Sequence, residues 1–398
     1  MRYIIAGITA ASFMIISCED FSASYQRVDA GAFRLLNIQY YPAEAAPGDI
    51  VTLTAVFAGK EIDLEKLIDW RVSYNMLVDH YGTLTAVDDK PLEYHEIQTS
   101  FFSGNTQAVN VRFKIPEDCV RRSGSIPNNW ADLVPSYVKS SIPQELLSMT
   151  KDEMVDLIEA YDRYLKGPHD NFTLDRPMSM IKAASNEWQK PQYSEELHSC
   201  LNTILQFFTV PIRISANVKG EHTIQSTYSV RYNGKFYSLD INYNNNPDIG
   251  FVRVYKVKGK NQLGFDESDP FVDFFGYWPA IIEVEDGYTY IAEAIVYANS
   301  IDYSVTLGGV TVEEEYRVYW QFQLDEDEIK GIPYSKYMDI TSVPGQLGAG
   351  PFAWIIPPAD KRITKFTLWV SVTDHVTNER LRPQGSALAE FRGYFTYK

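Results

Sequence analysis

Alternation along short segments is the pattern that most narrows what this chain can fold into. Val51, Leu53, Ala55 and Phe57 occupy every second position, with Thr52, Thr54 and Val56 between them. Successive side chains of an extended strand point to opposite faces, so a period of two describes a strand with one buried face. Pro47-Gly48-Asp49 supplies turn chemistry just before it. Trp70, Val72 and Tyr74 alternate with Arg71 and Ser73. Val109, Val111, Phe113 and Ile115 then run up to Pro116, which cannot continue a central strand. Short alternating strands bounded by turns, with no βαβ rhythm, predict a mainly β chain of packed antiparallel sheets.

The same order returns about 240 residues later, as a repeated unit would. Asp286-Gly287 precedes Tyr290, Ala292, Ala294 and Val296. Tyr316-Arg317-Val318-Tyr319-Trp320 then matches Trp70-Arg71-Val72-Ser73-Tyr74, and Ile356-Pro357-Pro358 closes a strand where Ile115-Pro116-Glu117 did. In the second copy a few residues join Pro358 to the strand Phe366, Leu368, Val370, Val372, whereas a long stretch separates Pro116 from Val210, Ile212, Ile214. That stretch switches to helical spacing. Thr150-Lys151-Asp152-Glu153 is a capping box, followed by Met154, Leu157, Ile158, Tyr161 and Leu165 on one face and stopped at Gly167-Pro168. Leu197, Cys200, Leu201, Ile204 and Phe208 predict a second helix. The aromatic inside a mid-domain strand resembles the core Trp of immunoglobulin-like domains, and Tyr41 to Asp49 resembles the opening of such repeats in bacterial surface lipoproteins; the immunoglobulin cysteine pair is absent. The expected fold is two immunoglobulin-like β-sandwiches in tandem, over residues 37–246 and 247–398, the first interrupted by an α-helical insertion at 119–208.

Met1-Arg2 begins an N-terminal segment whose remainder, Tyr3 to Ile16, is uncharged and mostly apolar. It is shorter than the roughly 20 residues of a membrane-spanning helix and has the layout of a secretory signal. It closes on Ile15-Ile16-Ser17-Cys18, which resembles the lipobox of bacterial lipoproteins. The resemblance implies removal of residues 1–17, a diacylglycerol on the Cys18 sulfur and an acylated tether over 18–36. Two or three acyl chains, at about 0.8 kcal/mol per buried CH₂, hold a protein stably at a bilayer. Glu19-Asp20 resembles the surface-export signal of Bacteroidota-like lipoproteins. The implied location is the bacterial envelope, at the outer membrane and on its surface face.

Charge and cysteine content limit the partners. Lys and Arg number 36 against 52 Asp and Glu, a net charge of −16, which excludes a nucleic-acid binder driven by phosphate neutralisation. The chain holds 3 cysteines. With Cys18 acylated, Cys119 and Cys200 remain in an oxidising compartment, and a disulfide between them would tie the two ends of the insertion; the alternative is a buried free thiol at Cys200 among Leu197, Leu201 and Ile204.

Motifs for chemistry are sparse. The 6 histidines form no HExxH pair, and neither GxSxG nor a P-loop occurs. Gly345 to Gly350 reads as a flexible loop between strands. Glu313-Glu314-Glu315 and Asp325-Glu326-Asp327-Glu328 read as a solvated acidic edge, with calcium as the alternative, because carboxylates on extended backbone alternate sides and do not converge. No catalytic residue, metal ligand or cofactor is assigned. Phe271, Phe274, Phe275, Tyr277 and Trp278 crowd one short segment and are the candidate platform for a glycan or a protein partner, the alternative being an edge strand or a seal between domains. Trp70, Trp320 and Trp369 are expected in the core. The reading is a lipid-anchored, non-catalytic binding or structural module. Its rivals are a glycan-processing enzyme with a carboxylate pair, and an accessory subunit of an outer-membrane complex docking through its helices. Replacing Cys18 by Ala is expected to move the protein out of the membrane pellet or leave residues 1–17 attached, read by fractionation and by the mass of the N-terminal peptide.

Overall fold

Alternation translates directly into strands. In the computed structural model the described residues are 28, 34–58, 68–78, 84–103, 106–166, 200–201, 203–205, 207–218, 222–232, 246–266, 268–276, 278–297, 304–307, 310–313, 315–325, 328, 330–331, 339–342, 351–375 and 385–398. The first part runs β1 (Arg34–Tyr41), β2 (Ile50–Ala58), β3 (Ile68–Ser73), β4 (Met76–Val78), β5 (Leu84–Ala86), β6 (Lys90–Pro91), β7 (Tyr94–Ser103) and β8 (Thr106–Lys114). Helices α1 (Cys119–Arg122), α2 (Ser136–Lys139), α3 (Gln144–Leu147) and α4 (Lys151–Lys166) follow, with a 3-10 turn at Trp130–Leu133. Next come β9 (Val210–Val218), β10 (His222–Val230), β11 (Ile249–Lys258), β12 (Phe271–Phe274), β13 (Ala280–Val284), β14 (Tyr288–Val296), β15 (Ser304–Leu307) and β16 (Val310–Glu313). The chain ends with β17 (Glu315–Leu324), β18 (Asp339–Ser342), β19 (Phe352–Ile356), β20 (Lys365–His375) and β21 (Ser386–Tyr397).

The molecule is mainly β, in several sheets. Sheets β1-β2-β8-β7 and β10-β9-β3-β6 face one shared core. Sheets β12-β11-β14-β19-β18 and β13-β21-β20-β17 face a second. The order β1-β2-β8-β7 has its counterpart in β11-β14-β19-β18, and β10-β9-β3 in β21-β20-β17. Ala55 and Ala294 lie on the counterpart strands β2 and β14, and Arg71 and Arg317 on β3 and β17. Even a parallel contact recurs, since Ala45 bridges Val230 of β10 and β13 pairs in parallel with β21.

The helices join the first core rather than standing apart. Val120, Trp130, Val138, Leu146, Met154 and Leu157 bury in the same cluster as Val111, Phe113, Ile212 and Ile214. The Trp130 and Phe208 rings lie 5.4 Å apart. The capping box forms as the spacing predicts: the Thr150 amide donates to Glu153 Oε2 at 2.8 Å, and the Glu153 amide donates to Thr150 Oγ1 at 3.4 Å. Arg121 of α1 pairs with Asp156 and Glu159 of α4 at 2.6 and 3.2 Å. Met154, Leu157 and Ile158 are buried as expected, and the side chains of Tyr161 and Leu165 lie outside the described residues. The short α1, α2 and α3, too brief to show a period, were not legible beforehand. Residues 200–201 and 203–205 are helical. Among the described residues no helix is long and apolar enough to cross a membrane.

Three expectations need correction or relocation. No bond joins Cys119 and Cys200: both are buried free thiols. Burial pushes their pKa up to about 12 and about 11, the inert state of a core thiol. Residues 18–36 are not wholly a tether, because Val28 is buried and β1 begins at Arg34. Residues 1–27, with Cys18, lie outside the described residues. Finally, Trp369 is buried but not in the second core: it belongs to a small cluster with Val28, Leu36, Val56, Ala58, Ala108 and Leu388.

That cluster joins the outer faces of two sheets, and polar bonds surround it. Thr106 Oγ1 donates to Glu390 Oε2, and Trp369 Nε1 donates to both at 3.1 Å. Asn37 Nδ2 donates to the Ala387 carbonyl at 3.0 Å, and Ser386 Oγ donates to that of Ile38 at 2.7 Å. Asn246, just before β11, donates to the Tyr40 carbonyl at 2.8 Å and accepts from the Ser386 amide at 3.0 Å. Replacing Glu390 by Ala strands the buried Thr106 hydroxyl and takes from Trp369 Nε1 one of its two acceptors, so urea unfolding is expected to show a loss of about 1–3 kcal/mol, while Glu390→Gln keeps an acceptor and loses less.

Candidate binding face

Strand β11 carries apolar or aromatic side chains on both faces. Val252 and Val254 point into the core, at 0% and 2% exposure. The intervening Phe251, Arg253 and Tyr255 therefore lie on the outer face. Pairing extends this face sideways. Arg253 stands beside Asp273 of β12 and Glu293 of β14, and Phe352 of β19 continues the row. Phe271, Tyr255, Ile291 and Trp354 form the next row. An outward face of an antiparallel sheet is ordinarily polar; this one is built of rings.

A loop covers half of it. Phe265 stacks on Tyr255 at 3.7 Å and meets Phe352 edge-on at 5.5 Å. Trp354 Nε1 donates to the Gln262 carbonyl at 2.9 Å, so Tyr255, Val257 and Ile291 are buried beneath the loop. Gly259 starts the loop at φ +114, where a Cβ would sit 2.4 Å from the Gln262 side chain. The left-handed conformation favours glycine there.

The other half stays open. Phe271 and Phe275 are 50% exposed and Trp278 is 78% exposed. The Phe251 and Phe275 rings lie 5.3 Å apart. The Arg253 guanidinium sits 4.1 Å from the Phe271 centroid and 5.3 Å from that of Phe251. Two hydrogen bonds to Asp273, at 2.7 and 2.8 Å, hold it there and raise its pKa. A fork locked to a carboxylate and laid over rings is a rigid element with little left to lose on binding. The Trp278 amide donates to the Phe275 carbonyl at 3.1 Å, which closes the turn carrying both rings.

The structure divides the five aromatics read from the sequence. Phe274 is not part of a platform: it is fully buried and its ring lies 6.1 Å from that of Phe366. Alternation along β12 puts it on the side opposite Phe271 and Phe275. Tyr277 lies outside the described residues. Phe251, Arg253, Phe265, Phe352 and Trp354 were not among the candidates, although Phe251-Val252-Arg253-Val254-Tyr255 already has large side chains on both faces. Trp70 and Trp320 are buried as expected.

The acidic strand end serves the fold. Glu328 accepts from the amides of Thr364 and Lys365 at 2.6 and 2.8 Å, and Asp325 lies 3.8 Å from Lys365. Among the described residues no group of three or more His, Cys, Asp or Glu is placed to hold a metal ion.

No family model and no curated protein matches the chain. Among solved structures, the mouse clustered PcdhgC3 EC1-3 aligns at 10% identity over 91% of this chain and 68% of that one, with a TM-score of 0.17. The Protocadherin Gamma B2 extracellular cadherin domains 3-6 align at 9% identity over 93% and 70%, with a TM-score of 0.16. Similarity at that level carries no argument about fold or function.

The division of the rings has a direct test. Phe274→Ala is expected to cost about 3–5 kcal/mol in chemical denaturation, as a buried aromatic does. Trp278→Ala is expected to stay within about 0.5 kcal/mol of the parent, as an exposed position does.

Proposed function

We propose that this chain is a lipid-anchored protein of the bacterial envelope that works by binding, without catalysis, and presents the open ring strip to a partner. Its architecture in this reading is two immunoglobulin-like sandwiches in tandem, over 37–246 and 247–398, with the helices between β8 and β9 as an insertion in the first. The recurring strand order supports the tandem arrangement: β1-β2-β8-β7 with β10-β9-β3, and β11-β14-β19-β18 with β21-β20-β17, run in the order of the two sheets of an immunoglobulin domain. The Cys18 lipobox supports the anchor.

The observation that carries the binding role is the exposed strip itself. Phe271, Phe275 and Trp278 leave half or more of their surface in water, next to the ring-laid Arg253. Aromatic side chains on β12 and the turn after it, together with an Arg fixed on the neighbouring β11, have the composition of a protein-binding hot spot. Among the described helix residues, Val138, Leu146, Met154 and Leu157 lie in the first core rather than facing a partner.

A photo-crosslinking residue placed at position 278 or 271 in producing cells is expected to yield adducts of one protein, absent when the residue is placed at the exposed Leu263. Adduct yields at 278 and 271 no higher than at 263 would overturn the proposal.

A further inference from the structure

A second concavity lies on the far side of the 259–266 loop from the ring strip. It has a volume of about 440 Å³, within the roughly 300–1,000 Å³ of small-ligand sites. Three segments wall it: the turn between β13 and β14, the end of β19 with Pro357 to Lys361, and Lys260-Asn261. Tyr288, Trp354 and Tyr397 supply rings.

Each ring is held in place. Trp354 is tied to the Gln262 carbonyl, and Tyr397 Oη donates to the Ile363 carbonyl at 3.0 Å. The Lys256 ammonium lies 4.6 Å from the Tyr288 centroid and is itself bonded to Glu285 at 2.7 Å. The turn is equally fixed, since Tyr290 Oη accepts from the Glu285 amide at 2.8 Å and donates to the Glu283 carbonyl at 3.0 Å. Gly287 takes φ +87 at its apex. Rings fixed before a ligand arrives lower the ordering cost of binding.

The charges of the cleft run against those of the chain. Glu285 is matched by Lys256, and the neighbouring Glu283 and Asp360 are matched by Lys398 and Arg362, at 2.6 and 2.7 Å. The cleft residues Lys260, Lys361 and Asp286 have no ion pair among the described residues. Two ammonium groups against one carboxylate leave the cleft locally positive on a protein of net charge −16. Lys260 and Lys361 are exposed and reach the cleft on flexible stems.

We propose that this cleft binds an acidic saccharide, a sugar unit carrying a carboxylate: the rings receive the apolar C–H faces of the sugar, and Lys260 and Lys361 meet its carboxylate. This site is separate from the strip, and its test does not depend on what the strip binds.

The test is calorimetric titration of the whole protein with uronate oligosaccharides (galacturonate, glucuronate and mannuronate series) and with the same chains after carboxyl reduction. At least one acidic series is expected to bind, with affinity falling as salt rises. Carboxyl reduction and the Lys260→Ala/Lys361→Ala double variant are each expected to weaken that binding at least about tenfold, a loss of about 1.4 kcal/mol. Lys260→Arg/Lys361→Arg is expected to restore it, and Trp278→Ala to leave it unchanged. Both lysines are exposed, so the variants should melt with the parent, which separates lost binding from lost fold. No binding by any acidic series, equal binding of the reduced chains, or indifference to the double Ala variant would each overturn the assignment.

Discussion

The contact around Trp369 holds the two cores in one arrangement. Its indole is buried between the outer faces of two sheets, with Val56, Ala58 and Ala108 on one side and Leu388 on the other. Its N–H is bonded to Thr106 and to the carboxylate of Glu390, which is itself buried. Apolar contact alone is non-directional and tolerates sliding. Buried hydrogen bonds do not, because a displaced donor loses its partner where no water can replace it. Asn246 adds a second lock where the chain passes from β10 toward β11, by holding strand β1 to strand β21.

A fixed arrangement leaves the outer face of β11, β14 and β19 in the second half free for other use. The ring strip lies there, and the cleft opens beyond it at the strand ends, between the β13–β14 turn, the end of β19 and Tyr397 of β21. The open strip is apolar, with one arginine whose charge is matched by Asp273. The cleft is polar at its rim and carries ammonium groups with no ion pair among the described residues. The 259–266 loop separates them, and its Phe265 ring and Gln262 carbonyl pin it to the sheet through Tyr255 and Trp354. The loop thus serves as a wall for the cleft and an edge for the strip.

The helices between β8 and β9 serve the first core. Trp130 and Phe208 pack inside it, and Arg121 draws α1 to α4 with two carboxylates. Cys119 and Cys200 contribute there as small apolar side chains, their thiols kept neutral by burial.

Much of the fold was legible because local rules wrote it. Alternation at Val51 to Phe57 and at Val109 to Ile115 named both strands and their inward faces, since the period of two leaves no other assignment. The Thr150–Glu153 box marked a helix start because it needs only four consecutive residues. The candidate site was legible in part: Phe271, Phe275 and Trp278 are exposed, while Phe274, one residue from Phe275, is core. Alternation determined that those neighbours part company, yet it does not say which side is wet. Val56, Ala58, Trp369 and Leu388 make the same point, for all lie on the sides of their strands away from the large cores and all are buried. What covers the second face of a sheet is set by segments hundreds of residues away, through contacts that leave no period in the sequence. The sequence by itself determined strands such as β2, β8, β14 and β20, the alternation of their side chains and the α4 cap; only the tertiary structure decided which outward faces meet each other, which are roofed by a loop and which remain open to a partner.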